Sequence, residues 1–395
     1  MHRQVKLFYE KLAPTSLTPP SLHVSRAKGP YIYDFQNNKF IDLIAGISVG
    51  ILGHGHPGIL KAVRKQLKRH LHVMVYGEFV QSTQVRLAEK LIEKSPAGAD
   101  CVYFVNSGSE ATELAMKLVR RATGRSLIVS FDNAYHGSTL GALSLMGDMR
   151  FQNTFRPLIP GILRLKYNSI RDLDKINTEV AGVFVEVIQG EAGCRVAESD
   201  FIQMVRKKCS ETGALLVIDE IQTGLGRTGT FWAFEHFNII PDIILTAKAL
   251  GGGLPLGAVI ASSKLLKELA VNPPLGHITT FGGNPLSCAA GIAVLEVIEK
   301  ENLLEQALDK EKFIRKYIGA EMDTFLYGKG LLLALKIGNM GDAIEFTKRM
   351  YKSRIITDWF LYRDDSIRIA PAINMNQKVM QKAFNCIMEC LEVPV

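Results

Sequence analysis

Along the 395 residues, short apolar runs alternate with stretches whose apolar positions recur every three or four residues. Six runs read as buried strands: 101–105, 126–130, 183–187, 214–219, 243–247 and 257–261. Each is short, apolar and bounded by polar or glycine-containing segments, the pattern of strands covered on both faces. Between the first two, Ala111, Leu114, Ala115, Leu118, Val119 and Ala122 share one face of a helix expected over 109–122. Phe201, Ile202, Val205 and Cys209 do the same for a helix over 201–212. A parallel neighbour needs a crossover connection, so this order predicts an α/β unit with a mainly parallel sheet. Ligands then belong at the carboxyl ends of its strands.

After residue 276 the glycine-rich loops give way to a long helical pattern, 285–312, and to strand-like runs at 331–337 and 367–369. We therefore expect a large ligand-binding domain over 51–276 and a smaller α+β domain over 277–395. Residues 1–50 contain turn-rich pieces such as 34–39 and are expected to pack with the small domain. No internal repeat is visible.

Composition narrows the class. Hydrophobic residues at 47% and charged residues at 22% exclude disordered and collagen-like chains. The formal charge of +8 raises nucleic acid as a partner, but the basic residues are scattered. The densest cluster, 61–69, alternates with apolar positions and reads as the wet face of a helix, so neither nucleic acid nor membrane is expected and a small anionic ligand is. Six cysteines (Cys101, Cys194, Cys209, Cys288, Cys386, Cys390) form no C-x-x-C pair and join no histidines at zinc spacing. A reducing, cytoplasmic setting without a structural metal is expected. Residues 1–20 lack the apolar core of a leader, and no run of about twenty apolar residues follows. His54 and His56, in GHGHP, suit a loop better than a metal site.

Three places carry candidate chemistry. Lys248 follows an apolar run and precedes Gly251-Gly252-Gly253, where a desolvated amine can form a Schiff base with an aldehyde; a solvated loop lysine is the alternative. Asp219 ends an apolar strand, where a carboxylate needs a cation such as a protonated pyridine nitrogen; a magnesium ligand or a helix cap would also serve. Asn106-Ser107-Gly108-Ser109 joins a strand to a helix, so it is either a phosphate cradle or an ordinary cap in which Ser109 plays the capping part.

These pieces occur together in one order. SGSEATE (107–113), AYHGSTLGALS (134–144), EVIQGEAG (186–193), IDEIQTGLGRTG (218–229), TAKALGGGLPLGA (246–258) and TTFGGNPLSCAA (279–290) resemble the class III aminotransferases, nearest to acetylornithine and ornithine aminotransferases. The resemblance runs from about Tyr31 to Met375. It implies fold type I, the aspartate-aminotransferase-like α/β fold, with pyridoxal 5'-phosphate as cofactor. It also implies transamination between an amino donor's ω-amine and the 2-oxoglutarate/glutamate pair. Lys248 would anchor the cofactor and shuttle the proton, and Asp219 would pair with the pyridine nitrogen. Gln222 would lie near the phenolic oxygen, Gly108 and Ser109 would bind the phosphate, and Tyr135 would stack on the ring. Thr280 would reach the phosphate of the neighbouring subunit, which makes a homodimer the minimal active unit. Glu191 would cover Arg368 while an ω-amine is bound and expose it to the α-carboxylate of glutamate; a structural salt bridge is the plainer role for Arg368.

Two departures stand out. The family usually reads FHGRT, with an arginine that grips the substrate carboxylate, whereas this chain reads Tyr135-His136-Gly137-Ser138-Thr139. Asp358-Trp359-Phe360 replaces a small glycine-containing turn. A different ω-amine is therefore a live alternative, as are racemase and semialdehyde aminomutase chemistry. A non-catalytic phosphate-binding protein would have no need of Lys248. A P-loop or dinucleotide site would need G-x-x-x-x-G-K or a well-placed G-x-G-x-x-G, and neither occurs.

Overall fold

The computed structural model of the protein describes residues 3–16, 19–338 and 342–392. Residues 1, 2, 17 and 18 of the segment read above as lacking a leader lie outside the described residues.

Near the amino terminus, β1 (Val24–Lys28), β2 (Tyr31–Asp34) and β3 (Lys39–Asp42) form an antiparallel meander. The central sheet takes β4 (Cys101–Val105), β5 (Leu127–Phe131), β6 (Ile162–Leu165) and β7 (Val180–Val185). A small hairpin, β8 (Ile188–Gln189) and β9 (Arg195–Val196), follows. Then β10 (Leu215–Asp219), β11 (Ile243–Thr246) and β12 (Gly257–Ala261) complete the seven-stranded sheet in the order β4-β12-β11-β10-β7-β5-β6. Towards the carboxyl terminus, β13 (Leu326–Lys329), β14 (Leu332–Lys336) and β16 (Ser366–Ile369) form a three-stranded sheet. β15 (Ile355–Ile356) leaves that region to pair with β3, so the first 50 residues are joined to the last part of the chain by backbone hydrogen bonds.

Alternation along the central strands builds two apolar layers. Phe184 and Val217 face the Gly108–Thr123 helix, where Ala111, Leu114, Ala115, Leu118 and Val119 are fully buried. Val183, Val185, Leu216 and Ile218 face the other way, into the core that holds Phe201, Ile202, Val205 and Cys209 of the Ser199–Thr212 helix. The fold is α/β with a mainly parallel central sheet, as the alternation of elements implied.

Several expected boundaries shift for physical reasons. β12 runs antiparallel to both β11 and β4, because residues 247–256 hold only the 3-10 turn Lys248–Gly251 and no crossover helix. β7 begins and ends earlier than 183–187, since Ile188 and Gln189 are drawn into the hairpin with β9. The helical pattern over 285–312 is two helices, Pro285–Lys300 and Leu303–Asp323, broken where Asn302 adopts left-handed geometry at φ 50°. β6 and the Arg3–Lys11 helix were not expected at all. Among the described residues, no helix is long and apolar enough to cross a membrane.

Phe131 is fully buried on β5 with its ring edge-on to Phe201 at 5.4 Å and to Tyr167 at 6.0 Å. Phe131→Ala is expected to cost about 3–5 kcal/mol of stability, read as a lower urea midpoint.

Candidate active site

The carboxyl ends of β4, β10 and β11, with the segments after β5 and β7, enclose a cavity of about 370 Å³. Asn106, Ser109, Tyr135, Asp219, Gln222 and Lys248 all line it. This is the position expected of a ligand site in an α/β sheet.

One end of the cavity is built for an anion. Ser107, not Ser109, caps the Gly108–Thr123 helix: its hydroxyl accepts the Glu110 N–H at 3.2 Å and its carbonyl the Ala111 N–H at 3.1 Å. Glu110 turns its carboxylate back onto the Asn106 N–H at 2.6 Å. The first-turn amides of Gly108 and Ser109 therefore remain as donors at the positive end of the helix dipole. Ser109 Oγ accepts the Ser138 N–H at 3.3 Å. Gly137, at φ 131°, passes so close that a Cβ there would stand 2.2 Å from Ser109 Oγ. Only glycine allows that approach.

The other end is built for a cation. Asp219 is buried at the end of β10; its Oδ2 accepts from His136 Nδ1 at 2.7 Å and its Oδ1 from the Ile221 N–H at 2.9 Å. His136 Nε2 and Gln222 Nε2 are buried without a partner among the described residues. Gly190 leaves room for Gln222, since a Cβ there would meet Gln222 Oε1 at 2.1 Å. Glu186, a buried carboxylate on the cavity wall, accepts the Tyr135 N–H at 3.3 Å. Its pKa is raised well above the ordinary value by burial first and by Asp219 next.

Lys248 opens the 3-10 turn after β11 in a left-handed conformation, φ 43°. Burial lowers its pKa; of its charged neighbours Arg368 lowers it further, while Glu191, Asp219 and Glu186 oppose. A larger share of neutral amine follows, which suits a nucleophile.

Glu191 and Arg368 come together outside the cavity's lining residues. Arg368 Nη2 donates to both Glu191 oxygens at 2.9 Å, and Arg368 Nε donates to Asp358 Oδ1 at 3.0 Å. Both members of the pair are buried. Tyr135 lines the cavity and shares a 3.1 Å hydrogen bond through its hydroxyl with Ser138 Oγ, which is exposed. Thr280 is exposed and does not line the cavity of its own chain. His54 bonds Asp42 at 2.8 Å, and His56 caps the Pro57–Leu67 helix.

Sequence reasoning passed over His136, Glu186 and Asp358 as individual residues. The first two sit inside quoted motifs, and a polar residue at a strand end beside glycine was the available signal. Nothing in sequence signalled that Asp358 reaches Arg368.

The family model "Aminotransferase class-III" matches residues 13–391. The chain is 36% identical over 369 residues to the acetylornithine aminotransferase of Methanopyrus kandleri, covering 92% of each. It is 39% identical over 330 residues to that of Bacillus subtilis, covering 82% of this chain and 84% of the relative. The ornithine aminotransferase of Toxoplasma gondii, solved with partial occupancy of pyridoxal phosphate at its active site, superposes with a TM-score of 0.88 at 27% identity, over 98% of this chain and 93% of that one. The donor set fits that cofactor's chemistry: amides and a hydroxyl for a phosphate, a buried carboxylate for a ring nitrogen, an amine for an aldehyde, and two orphaned polar nitrogens.

Gly137→Ala should push Ser109 away and strip bound pyridoxal phosphate on gel filtration, read as lost visible absorbance, with the far-ultraviolet circular dichroism unchanged. In cofactor-free protein, the lowered lysine pKa predicts that attachment of the aldehyde at Lys248 rises with pH through a midpoint below the ordinary 10.5. A midpoint at that ordinary value would contradict the desolvation argument.

Proposed function

The chain belongs to the class-III aminotransferases, enzymes that use pyridoxal phosphate, and from that premise we propose that it transfers the ω-amine of an amino donor, with 2-oxoglutarate and glutamate as the partner pair. The observation that carries this reading is the buried Glu191–Arg368 pair, with both carboxylate oxygens on one guanidinium nitrogen. An arginine closed by a carboxylate suits a donor without a charge at that end; the same arginine, uncovered, suits the α-carboxylate of glutamate. One site then serves two unlike substrates in turn.

When bound, pyridoxal phosphate supplies an aldehyde that takes up the amine and a ring that draws electrons from the carbon beside it. Lys248 Nζ, with its lowered pKa, would take the proton from that carbon and deliver it to the carbon that had been the cofactor's aldehyde, acting as base and then acid. Asp219 would keep a positive charge on the ring nitrogen, held in orientation by His136 and the Ile221 amide. Gly108 and Ser109 would hold the phosphate, Gln222 would face the phenolic oxygen, and Tyr135 would cover the ring. The proposal includes the division into 1–50, 51–276 and 277–395. It also includes a homodimer in which Thr280 reaches the partner's site; the exposure of Thr280 supports that reading.

A second reading has its own observation. Ser138, exposed and bonded to the Tyr135 hydroxyl, supplies no cation for a donor carboxylate. An ω-amine other than acetylornithine or ornithine is favoured to that extent.

A half-reaction screen tests both. The purified holoenzyme is mixed singly with N-acetylornithine, ornithine, 4-aminobutyrate, lysine and glutamate, following growth of the pyridoxamine phosphate band, with Lys248→Ala as the inert control. Conversion by glutamate and by at least one ω-amine is expected. Conversion by N-acetylornithine would set the role of Ser138 aside, and conversion by other ω-amines alone would support the second reading. No conversion by glutamate would remove the partner pair and bring racemase or aminomutase chemistry forward.

A further inference from the structure

The Arg368 guanidinium has three nitrogens, and the protein treats each differently. Nε donates to Asp358 Oδ1 at 3.0 Å. Nη2 carries both oxygens of Glu191 at 2.9 Å. Nη1 is buried without a partner among the described residues. A buried guanidinium N–H left without an acceptor is a costly arrangement unless something else takes it up.

Asp358 belongs to the loop between β15 and β16. The loop is bound to Arg368 along its length. The Asp358 carbonyl accepts the Arg368 N–H at 2.8 Å, Thr357 Oγ1 donates to the Arg368 carbonyl at 2.6 Å, and the Phe360 ring lies 4.6 Å from the guanidinium carbon. It also reaches Glu191: the Leu361 N–H donates to Glu191 Oε2 at 3.4 Å and the Tyr362 N–H to the Glu191 carbonyl at 3.1 Å. Asp358 is thus fixed by the backbone pairing of its own residue to Arg368. The Glu191 carboxylate is attached to the loop by one long hydrogen bond besides its contacts to Arg368.

Resting on the reading of Arg368 as the carboxylate site, we propose that Asp358 is a positioning residue that occupies the Nε edge, so that when Glu191 leaves only the Nη1–Nη2 end is presented to an incoming carboxylate. The orphaned Nη1 and the vacated Nη2 form a two-donor fork that matches one carboxylate. With Nε taken, a carboxylate has a single docking direction, which fixes the distance from the guanidinium to the far end of a dicarboxylate. Asp358 also offsets the charge of Arg368 in the uncovered state. Affinity there comes from the geometry of the fork more than from net charge, and the consequence is discrimination by dicarboxylate length.

The test uses unreactive dicarboxylates on the holoenzyme: succinate, glutarate and adipate, titrated by calorimetry against wild type, Asp358→Ala and Asp358→Asn. Wild type should prefer glutarate to the other two by about tenfold. Asp358→Ala opens the Nε edge, so its preference should fall below about threefold, whichever way absolute affinity moves. Asp358→Asn keeps an acceptor for Nε and should keep the preference. In Asp358→Ala the glutamate half-reaction should fall more than the ω-amine half-reaction, in which Glu191 holds Arg368. A preference retained in Asp358→Ala, or an equal loss of both half-reactions, overturns the positioning role alone. A wild type that binds no dicarboxylate overturns the glutamate reading as well. If Asp358→Ala fails to fold or to bind, Asp358→Asn decides, and collapse of its preference refutes the proposal.

Discussion

A carboxylate at the end of a fully apolar strand persists only if its charge is matched, and Asp219 is in that position. The strand that carries it is flanked by two others and covered on both faces, so the matching falls to neighbouring groups and to whatever occupies the cavity. His136 and the Ile221 amide take part of the burden. The rest of the cavity follows from the same constraint. Glu186 stands close enough to be pushed up by Asp219, and Lys248 is desolvated within reach of both. A cationic group bound beside Asp219 would satisfy it, and an anion at the Gly108–Ser109 helix end would meet first-turn amides. The two ends thus ask for opposite charges, which is the polarity of a zwitterionic ligand.

Much of this was legible because apolar periodicity and strand-end polarity are local properties. The 101–105 and 257–261 strands were read at their observed bounds, and Asp219 and Lys248 were recognisable as polar residues set directly after apolar runs. What escaped were properties that neither apolar spacing nor residue type encodes. The direction of β12 depends on how little chain lies between Lys248 and Gly257. The break at Asn302 interrupts a helical pattern whose apolar spacing continues on both sides. Ser107 and Ser109 are both competent caps in sequence; the choice of Ser107 is made by the backbone, and it frees Ser109 for the cavity. Asp358 reaches Arg368 only because its loop folds back beside β16.

Buried carboxylates near one another usually destabilise a site, and here they are arranged in steps. Glu220 follows Asp219 directly, but it turns away to accept the Phe234 N–H at 2.9 Å and bonds Thr223, and burial raises its pKa to about 7. Asp358, raised by burial to about 6, leans on Arg368. Asp219 and Glu220 are thus held by separate donors, Glu191 and Asp358 share Arg368 through different nitrogens, and Lys248 is the amine beside them. That arrangement keeps the lysine from being locked into a permanent ion pair, which would leave its amine protonated and useless as a nucleophile.

The site also needs the central sheet and the small carboxyl-terminal sheet to keep their relative place, because Asp219 and Lys248 come from one and Arg368 from the other. Arg227 supplies that connection. It lies in the loop that follows Asp219, it is buried, and its Nη1 donates to the carbonyls of Leu331, at 3.1 Å, and Pro371. Those carbonyls flank β14 and β16, the strands that carry and pair with Arg368. Burial lowers its pKa to about 10, so it stays charged at neutral pH, and a charged donor on two backbone carbonyls is a firmer link than neutral packing. The loop that begins at Asp219 thus ends on the backbone beside the strand of Arg368, and one side chain spaces the two groups.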